Sequence, residues 1–108
     1  MTVMFVYATA ADAAEAKRIG RAVVEERLAA CANVIERVSS VYWWEGKVQE
    51  AAEAALILKT SGTRVEALIA RIKVLHSYDC PAIVALPVAV GFPGFLDWVG
   101  KETQSSAR

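Results

Sequence analysis

From Thr2 to Thr9 the chain is almost unbroken in apolar and aromatic residues, the pattern of a strand central in a sheet or buried on both faces. The period then changes. Ala16, Ile19, Gly20, Val23, Arg27 and Leu28 recur at spacings of three and four, which predicts a helix over Ala13–Ala30 with Glu15, Arg18, Glu25 and Glu26 on its other side. Asp12 stands where a carboxylate can accept the orphan amides of the first turn. Asn33, which tolerates positive φ, is placed to end the helix.

From Val34 the period is two. Val34, Glu36, Val38, Ser40, Tyr42 and Trp44 point one way, and Ile35, Arg37, Ser39, Val41 and Trp43 the other. Glu45-Gly46 supplies a tight turn. Lys47–Thr60 returns as a second long strand, although Glu50–Ala55 is richer in helix formers than in strand formers. Thr63-Arg64-Val65-Glu66 has the spacing of a capping box and opens a helix that buries Val65, Leu68, Ile69 and Ile72. Ser77–Pro81 is a loop, and Ala82–Val88 a last strand. Pro87 has no amide hydrogen, so this strand belongs at a sheet edge. After the break at Gly91–Gly94, Phe95–Glu102 forms a short terminal helix.

The order βαββαβ plus a terminal helix predicts an α+β, ferredoxin-like fold: one antiparallel sheet with two helices on one face. Right-handed crossovers put strands one and three in the centre and strands two and four at the edges. Residues 1–102 read as a single domain, and residues 103–108 as a polar tail.

This domain looks too small for its hairpin. At about 3.4 Å per residue, Val34–Trp44 extends roughly 37 Å, against a diameter of about 34 Å for a compact domain of this length. The tip carries Tyr42, Trp43 and Trp44. Exposed aromatic residues on an edge strand invite association, so the reading favours an oligomer of identical subunits.

Composition narrows the function classes. The 108 residues carry 12 basic and 12 acidic side chains and one histidine. A balanced charge argues against a phosphate-reading surface. Lys47–Thr60 has no aromatic residue, which excludes RNA binding through stacked rings on that strand. No apolar run approaches the roughly 18 residues of a membrane span, so neither nucleic acid nor membrane is expected as a partner. Two cysteines are far from a disulfide scaffold, and the N-terminus has no basic segment ahead of its apolar stretch. Together these set the expectation of a cytoplasmic protein. No nucleophile elbow, phosphate loop or flagged carboxylate pair is present, so no enzyme is expected.

Candidate chemistry gathers after the second helix. His76 and Cys80, with Asp79 beside them, suit copper or another divalent metal, since imidazole and thiolate are its soft ligands. His76 alternatively caps the negative end of the helix. Cys31, among small residues, reads as a small buried hydrophobe. Tyr42, Trp44, Lys59, Tyr78 and Trp98 could line a cleft between subunits. Such a cleft is either a small-molecule site or the aromatic core of an interface.

Five segments, in order along nearly the whole chain, resemble the CutA family of divalent-cation tolerance proteins. They are Val24–Asn33, Ser40-Val41-Tyr42-Trp43-Trp44-Glu45-Gly46-Lys47, Leu58-Lys59-Thr60, His76-x-Tyr78-x-x-Pro81 and Gly91-x-Pro93-x-Phe95-Leu96-Asp97-Trp98. The resemblance implies a ferredoxin-like fold, a tight homotrimer, a cytoplasmic location in bacteria, a link to copper and other divalent metals, and no firmly attached reaction. It also implies kinship with the trimeric PII signalling proteins, hence an alternative role as a module binding a small ligand or protein partner in its clefts. The chain departs from the family pattern at Ala8, where some members have cysteine, at Leu75, where some have a second histidine, at Ala82, where many have glutamate, and at Ala11, where the family has proline.

Overall fold

The computed structural model describes residues 2–104. Strand β1 (Val3–Ala10) is followed by α1 (Ala13–Glu25), the hairpin β2 (Cys31–Trp44) and β3 (Lys47–Ser61), a 3-10 turn (Gly62–Arg64), α2 (Val65–Leu75), β4 (Ile83–Pro87) and α3 (Pro93–Glu102). The sheet order is β2-β3-β1-β4 with every neighbour antiparallel. This is the expected ferredoxin-like α+β arrangement, with Pro87 on an edge strand.

One face of the sheet is covered. Val6 and Ala8 of β1 and Leu56 and Leu58 of β3 pack with Ile19 and Val23 of α1 and Leu68 and Ile72 of α2, all buried. Gly20 permits the close approach: a Cβ there would sit 3.1 Å from both Ala32 Cβ and Leu56 Cδ1. A smaller cluster of Val3, Ala30 and Val99 seats α3.

β3 stays extended through Glu50–Ala55 because β2 pairs along it and β1 joins at Ala54, overriding local helix preference. At the hairpin tip Glu45 and Gly46 both take positive φ, 51° and 78°, the geometry that matches the twist of the flanking strands.

Several local expectations are corrected. Helix α1 ends at Glu25 and not at Ala30. Arg27 adopts φ 61°, and the amides of Arg27 and Leu28 donate to the carbonyls of Val24 and Val23 at 3.0 and 2.9 Å. That is a Schellman closure with arginine in the position usually held by glycine. Its guanidinium is held by Glu102 at 2.7 Å. Asn33 therefore ends no helix and lies in β2. The period-two alternation of β2 is also interrupted. Between Ile35↔Ala55 and Val38↔Glu53, Glu36 and Arg37 together oppose Ala54, a β-bulge that bends the strand and swaps its phase. The Thr63–Glu66 capping box does not form. Gly62 is pinned beside β1 by its amide to the Thr2 carbonyl at 2.7 Å, the chain winds as a 3-10 turn, and Thr63 Oγ1 meets Ser61 Oγ at 3.2 Å. The last strand is shorter than Ala82–Val88. Thr103 belongs to the packed unit: it is 1% exposed and donates to the Val99 carbonyl at 2.7 Å. Residues 105–108 of the expected tail lie outside the described residues.

Gly20 supplies the test of this packing. Gly20→Leu should destabilise the fold by about 2 kcal/mol, the usual cost of overfilling a packed interior, read by urea denaturation at fixed protein concentration.

Candidate functional site

The arm beyond the bulge, the end of β1 and the loop after α2 border an open cavity of about 700 Å³. Its lining includes Tyr42, Trp44, Glu53, Tyr78, Asp79 and Cys80. The loop is held in place by a chain of hydrogen bonds that starts at Glu15. The Asp12 carboxylate accepts the Glu15 amide at 2.9 Å, as expected of a cap. The Glu15 carboxylate in turn accepts the amides of Ala11 at 2.9 Å and Ser77 at 2.7 Å. Glu15 is thus buried, 7% exposed, and not on the solvent side of α1 where periodicity alone puts it.

His76 follows α2 and continues the chain. Its Nε2–H donates to the Thr9 carbonyl at 2.7 Å, and its Nδ1 accepts the Tyr78 amide at 3.0 Å. Both ring nitrogens are committed and the side chain is 1% exposed. This is the arrangement of a structural histidine at a helix end. Tyr78 stacks on it with ring centroids 4.7 Å apart and tilted by 49°. The Tyr78 hydroxyl then reaches across to donate to Glu53 Oε2 at 2.8 Å. Burial, followed by that bond to Glu53, pushes the Tyr78 phenol up to about 12, so it remains a donor at neutral pH.

Of the residues singled out in the sequence, Tyr42, Trp44, Tyr78 and Cys80 meet at this cavity. Lys59 does not: it is in register with Phe5 on β1, and its Nζ donates to Asn33 Oδ1. Trp98 packs on Phe95 in α3 at 5.8 Å, outside the lining. Cys31 opens β2 and is half-buried, while Cys80 is an exposed free thiol. Among the described residues no three His, Cys, Asp or Glu side chains lie together in a way that could hold a metal ion. The described residues of one chain therefore supply no closed four-ligand coordination set. Glu15 and Glu53 are the site residues missed in the sequence, whereas Asp79, singled out beside His76 and Cys80, lines the cavity with Cys80. The spacing Asp12-x-x-Glu15 is a capping-box signal that identifies the first. Nothing local marks Glu53, which lies in a run of alanines.

A βαββαβ domain with an overlong aromatic hairpin and a cavity at its base defines the class of protein. Residues 4–102 match the family model of the CutA1 divalent ion tolerance protein. The chain is 42% identical over 101 residues to the chloroplastic protein CutA 1 of Oryza sativa, covering 94% of this chain and 57% of that one. It thus spans little more than half the length of that relative, and 51% of CutA of Mus musculus. The solved structure of the divalent cation tolerance protein of Thermus thermophilus superposes with a TM-score of 0.92 at 41% identity, covering 94% of this chain and 99% of that one. The periplasmic divalent cation tolerance protein CutA of Archaeoglobus fulgidus gives 0.91 at 38% identity, with 94% and 99% covered. The chain belongs to the CutA family of divalent-cation tolerance proteins, a family not known for a reaction.

The relatives overturn the expected cytoplasmic location. They include chloroplastic plant proteins and a periplasmic one. The physical reason lies in the core, which is apolar and contains neither cysteine. Its packing does not depend on the redox state of a compartment, so thiol count carries no address. No helix among the described residues is long and apolar enough to cross a membrane.

Glu15 makes the site sensitive to acid. Burial alone raises its carboxyl, but the bonds from Ala11 and Ser77 and the nearby His76 outweigh it, and the net shift is below the usual 4.5. A lowered folded value stabilises the protein above the unfolded value and loses that contribution as pH falls through the folded one. Glu15→Gln should therefore cost about 2 kcal/mol at neutral pH, the scale of a hydrogen bond to a charged group. The gap from the parent should narrow as pH falls below the unfolded carboxyl's value of about 4.3 and on through the lower folded one. Paired urea titrations across that range check it.

Proposed function

We propose that the chain works as a homotrimer that supports tolerance of divalent cations, copper among them, by binding and not by catalysis. The observation that carries this reading is the bare half of the molecule. Val6 and Ala8 face the helices, so Phe5 and Tyr7 lie on the opposite face of the sheet. There they are in register with Leu86 and Val84 of β4, and Tyr7 also with Ile57 of β3. Among the described residues no helix covers this face, and Val84, Leu86 and Ile35 are exposed. It runs into the arm, where Trp43 and Trp44 are 74% and 52% exposed. The arm stretches the chain to 47 × 29 × 22 Å. Apolar surface of this kind marks an interface. The two free edges, β2 and β4, are unlike each other, which favours a closed head-to-tail ring over a two-fold pair.

Family membership supports divalent cations as the cargo. Within one chain His76 has no free nitrogen, so the side chain that meets a metal is Cys80, a soft thiolate ligand. It stands beside Asp79 at the mouth of the cavity. Binding by so few groups is weak and transient.

Light scattering should return three times the chain mass. Trp44→Ala should weaken assembly by about 2 kcal/mol, the cost of a central aromatic anchor. A chain that stays single at high concentration overturns the trimer. In a separate experiment, a Zn(II) titration of Cys80→Ser should show binding at least tenfold weaker than the parent's. Equal affinity in both removes Cys80 from the account.

A further inference from the structure

The cavity at the base of the arm shares Trp44 with the proposed interface and Asp79 and Cys80 with the proposed metal contact, but its combined aromatic and acidic lining has a chemical bias that neither of those roles accounts for. At about 700 Å³ it is of small-molecule size. Tyr42, Trp44 and Tyr78 give it aromatic walls, Glu53 and Asp79 give it negative charge, and no lysine, arginine or histidine lines it. Glu53 is half-buried and held from one side only. Its Oε2 accepts the Tyr78 hydroxyl at 2.8 Å, and among the described residues neither Glu53 nor Asp79 forms an ion pair. Of the described carboxylates that are not exposed, Glu15 and Glu102 each face a basic side chain and Glu53 does not. A half-buried carboxylate without a counter-charge is costly unless something supplies one.

The lining discriminates among ligand classes. A phosphate or nucleotide would meet two carboxylates and no cation, and is repelled. A bare metal ion needs several donors converging on one point, and among the described residues no three His, Cys, Asp or Glu side chains are so grouped. A cation whose charge is spread over a larger, partly apolar body suits the walls: aromatic rings attract it electrostatically, and separated carboxylates complete its neutralisation. Recognition of alkylammonium groups by aromatic cages follows this pattern. We propose that the cavity binds a small organic cation, an alkylammonium or guanidinium compound, among Tyr42, Trp44 and Tyr78 with Glu53 and Asp79 as counter-charges. The site is made from one chain's own residues and does not rest on the metal reading above.

The test is a calorimetric titration with benzyltrimethylammonium at low salt, alongside neutral benzyl alcohol and anionic benzoate. The cation should bind saturably, and the other two at least tenfold more weakly. Glu53→Gln, which keeps shape and removes charge, should weaken the cation about fivefold, in line with about 1 kcal/mol for a partly desolvated contact of this type. Tyr42→Leu should do the same by a different route, and guards against misfolding of the first variant. No saturation at millimolar concentration, equal binding of benzyl alcohol, or an unchanged affinity in both variants overturns the proposal. The same samples are weighed by light scattering. A single-chain mass with cation binding intact sinks the trimer alone, and a trimer that ignores the cation sinks this proposal alone.

Discussion

Two helices can cover only one face of a four-stranded sheet, and everything else in this molecule is arranged around that limit. Ile19, Val23, Leu68 and Ile72 close over Val6, Ala8, Leu56 and Leu58, and Gly20 brings α1 down to van der Waals distance. The face so covered stabilises the chain through apolar burial. The opposite face has the same kind of side chains and no cover. The hairpin extends that uncovered surface well past the body of the domain, so the fold is complete as a topology while its apolar surface is only half buried.

The second organising feature is polar. Glu15 collects the amides of Ala11 and Ser77, and His76 joins the end of β1 to the loop after α2. These bonds hold Tyr78 where it can reach Glu53, and so shape one wall of the cavity. The same bonds take His76 out of coordination chemistry. A histidine that looks like a lone ligand in the sequence is a structural crosslink in the fold, while Cys80 is an exposed free thiol.

Much of the fold was legible in the residues. Periodicity located β2 and the two long helices, the turn at Glu45-Gly46 implied β3 as the returning strand, Pro87 placed β4 at an edge, and Asp12 supplied the cap of α1. The failures have specific causes. Arg27 closes α1 in a left-handed conformation without the usual glycine, because Glu102, seventy-five residues away, holds its side chain. The bulge at Glu36-Arg37 is set by pairing with β3, and one-strand alternation carries no record of it. Tyr42, Trp44, Tyr78, Asp79 and Cys80, singled out by residue type, line one cavity. Glu53 was not singled out, because its neighbours in the sequence are not its neighbours in space.

The sequence by itself determined the alternation of elements, the buried stripe of each helix, the aromatic tip of the hairpin and the family resemblance. All of these depend on residue type at short separation, where periodicity and local hydrogen bonding act. Only the tertiary structure decided which carboxylates are buried, which nitrogen of His76 donates, and that Lys59 and Trp98 stand apart from the cavity. Those outcomes depend on contacts between segments dozens of residues apart, and hydrogen bonds and burial act on distance in space, not on distance along the chain.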